Sequence, residues 1–138
     1  MSLKQLTEEE IKKRLSPIFE EEGLRLVILF GSAASGKTHR GSDIDIAFLF
    51  EESVDVLERT NTVLRLLHND NVDVIDLRRA SPLLKFSVVK EGKLLFEKNH
   101  GIFNQFCSLA FRMYVDTQKL RDGHTVLIKN YLKKESVV

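Results

Sequence analysis

Hydrophobic spacing changes period several times along the chain, and the change-over points predict its elements. Ile11, Leu15, Ile18 and Phe19 recur at helical intervals behind Thr7 and Glu10, which have capping-box spacing. Pro17 falls inside that stripe, so the helix is expected to kink near Ser16 or restart there, and Gly23 ends it. Leu24 to Phe30 is apolar and β-branched enough for a buried strand. Asp43 to Phe50 begins in alternation and becomes wholly apolar, which is again strand-like. A second helix is expected from about Ser53 to His68, carrying Val56, Leu57, Val63, Leu64 and Leu67. Asn69-Asp70-Asn71 is turn chemistry, and Val72 to Leu77 reads as a third strand. Ser81-Pro82 starts a helix that Gly92 stops, and Lys93 to Glu97 is a short fourth strand. From Ile102 onward Phe103, Phe106, Cys107, Ala110, Phe111 and Tyr114 keep helical spacing, with a break expected at Asp122-Gly123. The order helix–strand–strand–helix–strand–helix–strand–helix predicts an α/β sheet with helices packed on it.

Composition narrows the class without naming a ligand. The 138 residues fit one domain, and 30% charged with 43% hydrophobic residues is ordinary for a globular protein. A formal net charge of +1 argues against a general nucleic-acid binder, whose affinity comes from neutralising phosphates. A single cysteine forms no intramolecular disulfide; Cys107, among Phe106, Leu109 and Ala110, reads as a buried, inert thiol. The N-terminus lacks a secretory h-region, and no apolar run approaches the ~20 residues of a membrane span. A cytoplasmic protein without a membrane anchor is expected.

Two motifs overlap on the loop between the first two strands. Gly31 to Thr38, Gly-Ser-Ala-Ala-Ser-Gly-Lys-Thr, matches a phosphate loop, GxxxxGK[ST], and follows a strand. That motif works when a helix begins at its lysine, adding an N-terminal dipole to the backbone N–H cradle. Here the chain continues His-Arg-Gly-Ser-Asp-Ile-Asp-Ile, with Gly41 four residues past Lys37 and no helical stripe, against helix propensity. The second pattern is Gly31-Ser32, ten intervening residues, then Asp43-x-Asp45. On a strand, Asp43 and Asp45 lie on one face with Cα atoms roughly 6.5 Å apart. Carboxylates that close repel, and two divalent cations about 3.5–4 Å apart are a natural remedy, since hard oxygen donors suit Mg²⁺ or Mn²⁺. Asp73 on the next acidic strand can supply a third carboxylate, whereas Asp76 falls on the opposite face of a regular strand. Alone, D-x-D reads as a solvated strand edge; the Gly-Ser loop before it and the second acidic strand favour a site.

These segments, Leu29-Phe-Gly-Ser32, the ten-residue gap, Ser42-Asp-Ile-Asp-Ile46 and Val72-Asp-Val-Ile-Asp-Leu77, resemble the minimal nucleotidyltransferases of the DNA polymerase β superfamily. The resemblance runs from about residue 8 to about residue 98, through Ser81-Pro82-Leu-Leu-Lys-Phe86 and Lys90 to Glu97. The gap length and the helix from about 102 are most similar to MntA antitoxins, which pair with a HEPN-domain toxin. The resemblance implies a nucleotidyltransferase fold, a small mixed sheet of about four strands with an extra C-terminal helix. It divides the chain into a core over 1–98 and a helical extension over 99–138 packed on the same domain. It also implies transfer of AMP from ATP to a hydroxyl, foremost a tyrosine of the cognate toxin. Gly31 and Ser32 are then phosphate-binding, Asp43 and Asp45 bind two Mg²⁺ ions (or Mn²⁺), and Asp73 is the third ligand and the best general-base candidate. Many relatives carry Arg or Lys just before the loop's second glycine, where this chain has Ser35; Lys37 and Arg40, with Ser42, are the candidates for phosphate contacts instead.

Competing readings are an antitoxin acting by binding alone, a small-molecule transferase of aminoglycoside type, and a phosphate-loop NTPase or kinase using Gly31–Thr38. A homo-oligomer, or a hetero-oligomer with the toxin, is compatible with the sequence; a nucleic-acid partner is not expected. His39 is a loop residue that can reach phosphate or solvent, and His68, His100 and His124 lack metal-ligand spacing. Arg78-Arg79 reads as surface. The stripe Phe103, Phe106, Phe111 and Tyr114 reads as core first and docking face second, and Lys129, Lys133 and Lys134 as a solvated end.

Overall fold

The computed structural model describes residues 6–31, 44–69 and 71–118. Helix α1 (Glu8–Phe19) is capped by Thr7, whose hydroxyl accepts from the Glu10 N–H at 3.1 Å while the Glu10 carboxylate reaches back to the Thr7 N–H. Of the kink or restart expected near Ser16, the restart does not occur: α1 runs through Pro17 as one helix. Proline there removes one backbone hydrogen bond from the last turn, and that turn is held instead by Ile18, 3% exposed, and by Phe19, stacked on Phe96 with ring centroids 4.9 Å apart.

Strand β1 (Leu24–Phe30) leads to β2 (Ile44–Phe50), α2 (Val56–Leu67), β3 (Val72–Asp76), α3 (Pro82–Glu91), β4 (Lys93–Glu97) and the helical residues 102–118, α4. Helix α2 starts three residues later than its pattern suggested, because the Asp55 carboxylate, not Ser53, accepts the free N–H groups of Leu57 and Glu58. Ser81 caps α3 with Pro82 in its first turn, as the dipeptide indicated. Gly92 ends α3 for a packing reason: a Cβ there would overlap Ile28 Cγ2 and the Val88 carbonyl oxygen and crowd the Leu29 carbonyl at 3.3 Å.

The sheet has the order β3-β2-β1-β4, with β2 and β3 parallel and the other pairs antiparallel. The two central strands are apolar on both faces because helices cover both. One face packs Leu24, Val27, Leu29, Ile46, Phe48 and Leu95 against Ile11 and Leu15 of α1 and Val63 and Leu67 of α2. The other packs Leu26, Ile28, Ala47 and Leu77 against Val88 of α3 and Ile102, Phe106 and Ala110 of α4. Glu97, at the end of β4, fastens α4 to the sheet: its carboxylate accepts the Gly101 N–H at 3.0 Å and the Phe103 N–H at 3.1 Å.

The aromatic stripe of α4 divides. Phe106 is core, Tyr114 stacks on Phe86 of α3 at 4.1 Å, and Phe111 remains 58% exposed. Cys107 is half-buried rather than buried, and burial still pushes its thiol pKa up, in keeping with an inert group. The expected break at Asp122-Gly123 and the lysines beyond it lie outside the described residues.

Candidate active site

The candidate chemistry gathers at one end of the sheet, where β1 leaves it and β2 and β3 enter. Phe30, the last residue of β1, pairs with Asp45, and Asp45 pairs in turn with Asp73 across the parallel ladder. Register partners on adjacent strands face the same side. Asp45 and Asp73 therefore stand together on the face that carries Ala47, Ile75 and Leu77, the face covered by α3 and α4. Asp45 is half-buried and Asp73 exposed. A half-buried carboxylate in a central strand, in register with a second carboxylate, makes Asp45 a candidate for chemistry.

The turn from α2 into β3 fixes this juxtaposition. His68 ends α2 in a left-handed conformation, φ 52°. Asn69 then accepts the Asn71 N–H on its side-chain oxygen at 2.7 Å, and the Asn71 carbonyl accepts the Ile44 N–H at 2.8 Å. The residue leading into β3 is thus tied to the start of β2, two residues before Asp73 and one before Asp45. Arg14 of α1 secures the same turn from behind, donating to the Leu67 carbonyl at 2.9 Å.

Gly31, immediately after β1, adopts φ 77° and comes up against Asp45: a Cβ at this position would overlap Asp45 Oδ2 and lie 3.1 Å from its Cγ. Sequence reasoning identified Gly31 but missed this contact, because it depends on the pairing of Phe30 with Asp45. Ser32, Ser35, Lys37, His39, Arg40, Ser42 and Asp43 lie outside the described residues, as does nearly all of the phosphate-loop pattern Gly31–Thr38.

Several sequence candidates separate from the site. Asp76 faces the α1–α2 side of the sheet at its other end, pairs with Phe48, and is 9% exposed. Its Oδ1 accepts the Arg78 N–H at 3.0 Å, which makes it a turn residue. Arg78 and Arg79 are exposed at that same far end, with Arg78 Nη1 donating to the Glu51 carbonyl at 2.5 Å. His68 and His100 are exposed.

The donor set suits hard divalent cations: Asp45 and Asp73 offer carboxylate oxygens from one face, at the open end of the sheet. Among the described residues no group of three or more His, Cys, Asp or Glu forms; the third carboxylate expected for the site is Asp43. No helix among the described residues is long and apolar enough to cross a membrane.

Comparison with known proteins places this geometry in context. Residues 11–101 match the family described as polymerase beta nucleotidyltransferase. The protein adenylyltransferase MntA of Shewanella oneidensis is 40% identical over 96 residues, 68% of each chain. A crystal structure of a toxin–antitoxin with AMP-PNP superposes with a TM-score of 0.72 at 33% identity, covering 92% of this chain and 99% of that one. The structure of tri-AMPylated Shewanella oneidensis HEPN toxin in complex with MNT antitoxin matches with a TM-score of 0.69 at 26% identity, over 91% and 99% of the two chains.

Proposed function

The chain belongs to the polymerase β nucleotidyltransferase family, and from that premise we propose that it is a protein adenylyltransferase: it moves AMP from ATP onto a tyrosine hydroxyl of a HEPN-domain toxin and so acts as the antitoxin of the pair. The pairing of Asp45 with Asp73 on one face, beside the Gly31 turn, supports this reading, because two neighbouring carboxylates suit the divalent cations of phosphoryl chemistry. The names of the relatives supply the donor and the acceptor: an MntA adenylyltransferase, an antitoxin crystallised with an ATP analogue, and an AMPylated HEPN toxin. Family membership sets aside the phosphate-loop NTPase.

In this scheme Asp43, Asp45 and Asp73 hold two Mg²⁺ ions, with Mn²⁺ able to replace them. When bound, the ions neutralise the triphosphate and lower the pKa of the acceptor hydroxyl. Gly31 and Ser32 receive the phosphates on backbone and hydroxyl groups, and Lys37, Arg40 and Ser42 add contacts that replace the basic residue missing at Ser35. The acceptor oxygen attacks the α-phosphorus in line, the bond from that phosphorus to the bridging oxygen breaks, and pyrophosphate leaves. Asp73, exposed at the mouth of the site, takes the hydroxyl proton. Cytoplasmic action follows from these substrates.

The test mixes the full chain with ATP, Mg²⁺ and the HEPN toxin. The expected result is a toxin mass raised by whole AMP units, lost with Asp43→Ala. Toxin neutralisation in cells that survives Asp43→Ala would instead establish an antitoxin that acts by binding alone.

A further inference from the structure

We infer that Gly31 is a positioning residue for Asp45: its missing side chain leaves the space against the turn out of β1 that the Asp45 carboxylate occupies, and so sets where that carboxylate points. The inference rests on the proposed role of Asp45 as a metal ligand and adds to it the residue that sets where that ligand points.

Two independent requirements meet at Gly31. Its backbone sits at φ 77°, a left-handed conformation that turns the chain out of β1. In a regular strand the residue after Phe30 would project away from Asp45, on the other face. The left-handed turn brings it round instead, so that a Cβ would overlap Asp45 Oδ2, with Cγ at 3.1 Å and the Asp45 Cβ at 3.4 Å. Among the described residues, the three nearest atoms to such a Cβ all belong to the Asp45 side chain. Strand β2 is held between β1 and β3 and cannot withdraw. An alanine at 31 is therefore accommodated by rotating the Asp45 carboxylate away from the turn that follows β1: the fold persists and the ligand moves.

The molecule contains its own control. Gly23, at the other end of β1, has φ 84° with no atom within 4 Å of a Cβ. Gly23→Ala carries the left-handed strain alone, and Gly31→Ala carries the same strain plus the collision. A difference between the two variants isolates the Asp45 contact.

The probe is Mn²⁺, titrated by electron paramagnetic resonance into the full chain saturated with AMP-PNP. Gly31→Ala is expected to weaken Mn²⁺ binding by about 10- to 100-fold, the scale on which displaced supporting groups weaken metal sites. Gly23→Ala should leave it unchanged, and Gly31→Ala should add nothing in an Asp45→Asn background. Unchanged Mn²⁺ binding in Gly31→Ala, when Asp45→Asn weakens it, overturns the inference and leaves the site reading intact. If Asp45→Asn itself leaves Mn²⁺ binding unchanged, the site reading fails and takes the inference with it. Should Gly31→Ala not fold, Gly31→Ala/Asp45→Ala removes the obstruction and should recover a cooperative transition near that of Gly23→Ala, which carries the same backbone strain; failure to recover it overturns the proposal.

Discussion

Asp73 and Asp76 sit three residues apart on one strand and do opposite things. Asp73 is exposed at the end where the chain enters β3, on the α3–α4 face, paired with Asp45. Asp76 is buried at the other end, on the α1–α2 face, and spends one carboxylate oxygen on the Arg78 N–H. The two ends of the sheet differ in the same way. At the far end charged groups are turned inward to one another: Arg59 pairs with Glu21 and lies over the Phe50 ring at 5.0 Å, and Lys98 reaches Glu51 at 3.7 Å. At the near end carboxylates sit side by side, where mutual repulsion lowers stability and a cation is the natural partner. Acidity by itself separates nothing; the face, the end of the strand and the neighbouring carboxylate do.

The contrast breaks first at Asp45. Asp45→Ala should reduce AMP transfer by more than about 100-fold, since losing even the groups that support metal ligands costs 10- to 100-fold, while thermal unfolding stays cooperative. Loss of the fold would place Asp45 among the structural acids. Arg59→Ala attacks the far end and should have the reverse signature, about 2 kcal/mol of stability lost in urea unfolding from the broken charged hydrogen bond to Glu21, with transfer per folded molecule unchanged. Asp76→Ala should cost about 1 kcal/mol through the lost Arg78 contact, again with activity retained. Cys107 should show the smallest effect. Its raised pKa keeps the thiol protonated at neutral pH, so iodoacetamide labels it more slowly than free cysteine, and labelling at the free-thiol rate would contradict the burial described.

Much of this arrangement was readable from local chemistry. Thr7 with Glu10 and Ser81 with Pro82 gave helix starts because caps act within one turn. The apolar runs from Leu24 and from Ile44 gave buried central strands because both faces need covering. Alternation alone assigned Asp76 to the face opposite Asp73. What stayed hidden depends on residues far apart in sequence. Pro17 stays inside α1 because Phe96, on the last strand, holds Phe19. The split of the α4 aromatics is decided by Phe86 on α3. The pressure of Gly31 on Asp45 exists only once Phe30 and Asp45 are in register. The candidate site was thus legible as a set of residues and not as a geometry. For Asp43, Ser32, Lys37, Arg40 and Ser42, outside the described residues, it stands on sequence alone.

The central claim is that the carboxylates at the near end of the sheet, and not the aspartate at the far end, serve nucleotide transfer. The most direct measurement is intact-mass spectrometry of the HEPN toxin after incubation with ATP and Mg²⁺ and the parent chain, Asp45→Asn or Asp76→Asn, each also with EDTA in excess. AMP addition is expected from the parent chain and from Asp76→Asn, none from Asp45→Asn, and none in any sample with EDTA. AMP addition by Asp45→Asn at the parent rate, or its loss in Asp76→Asn alone, would contradict the claim.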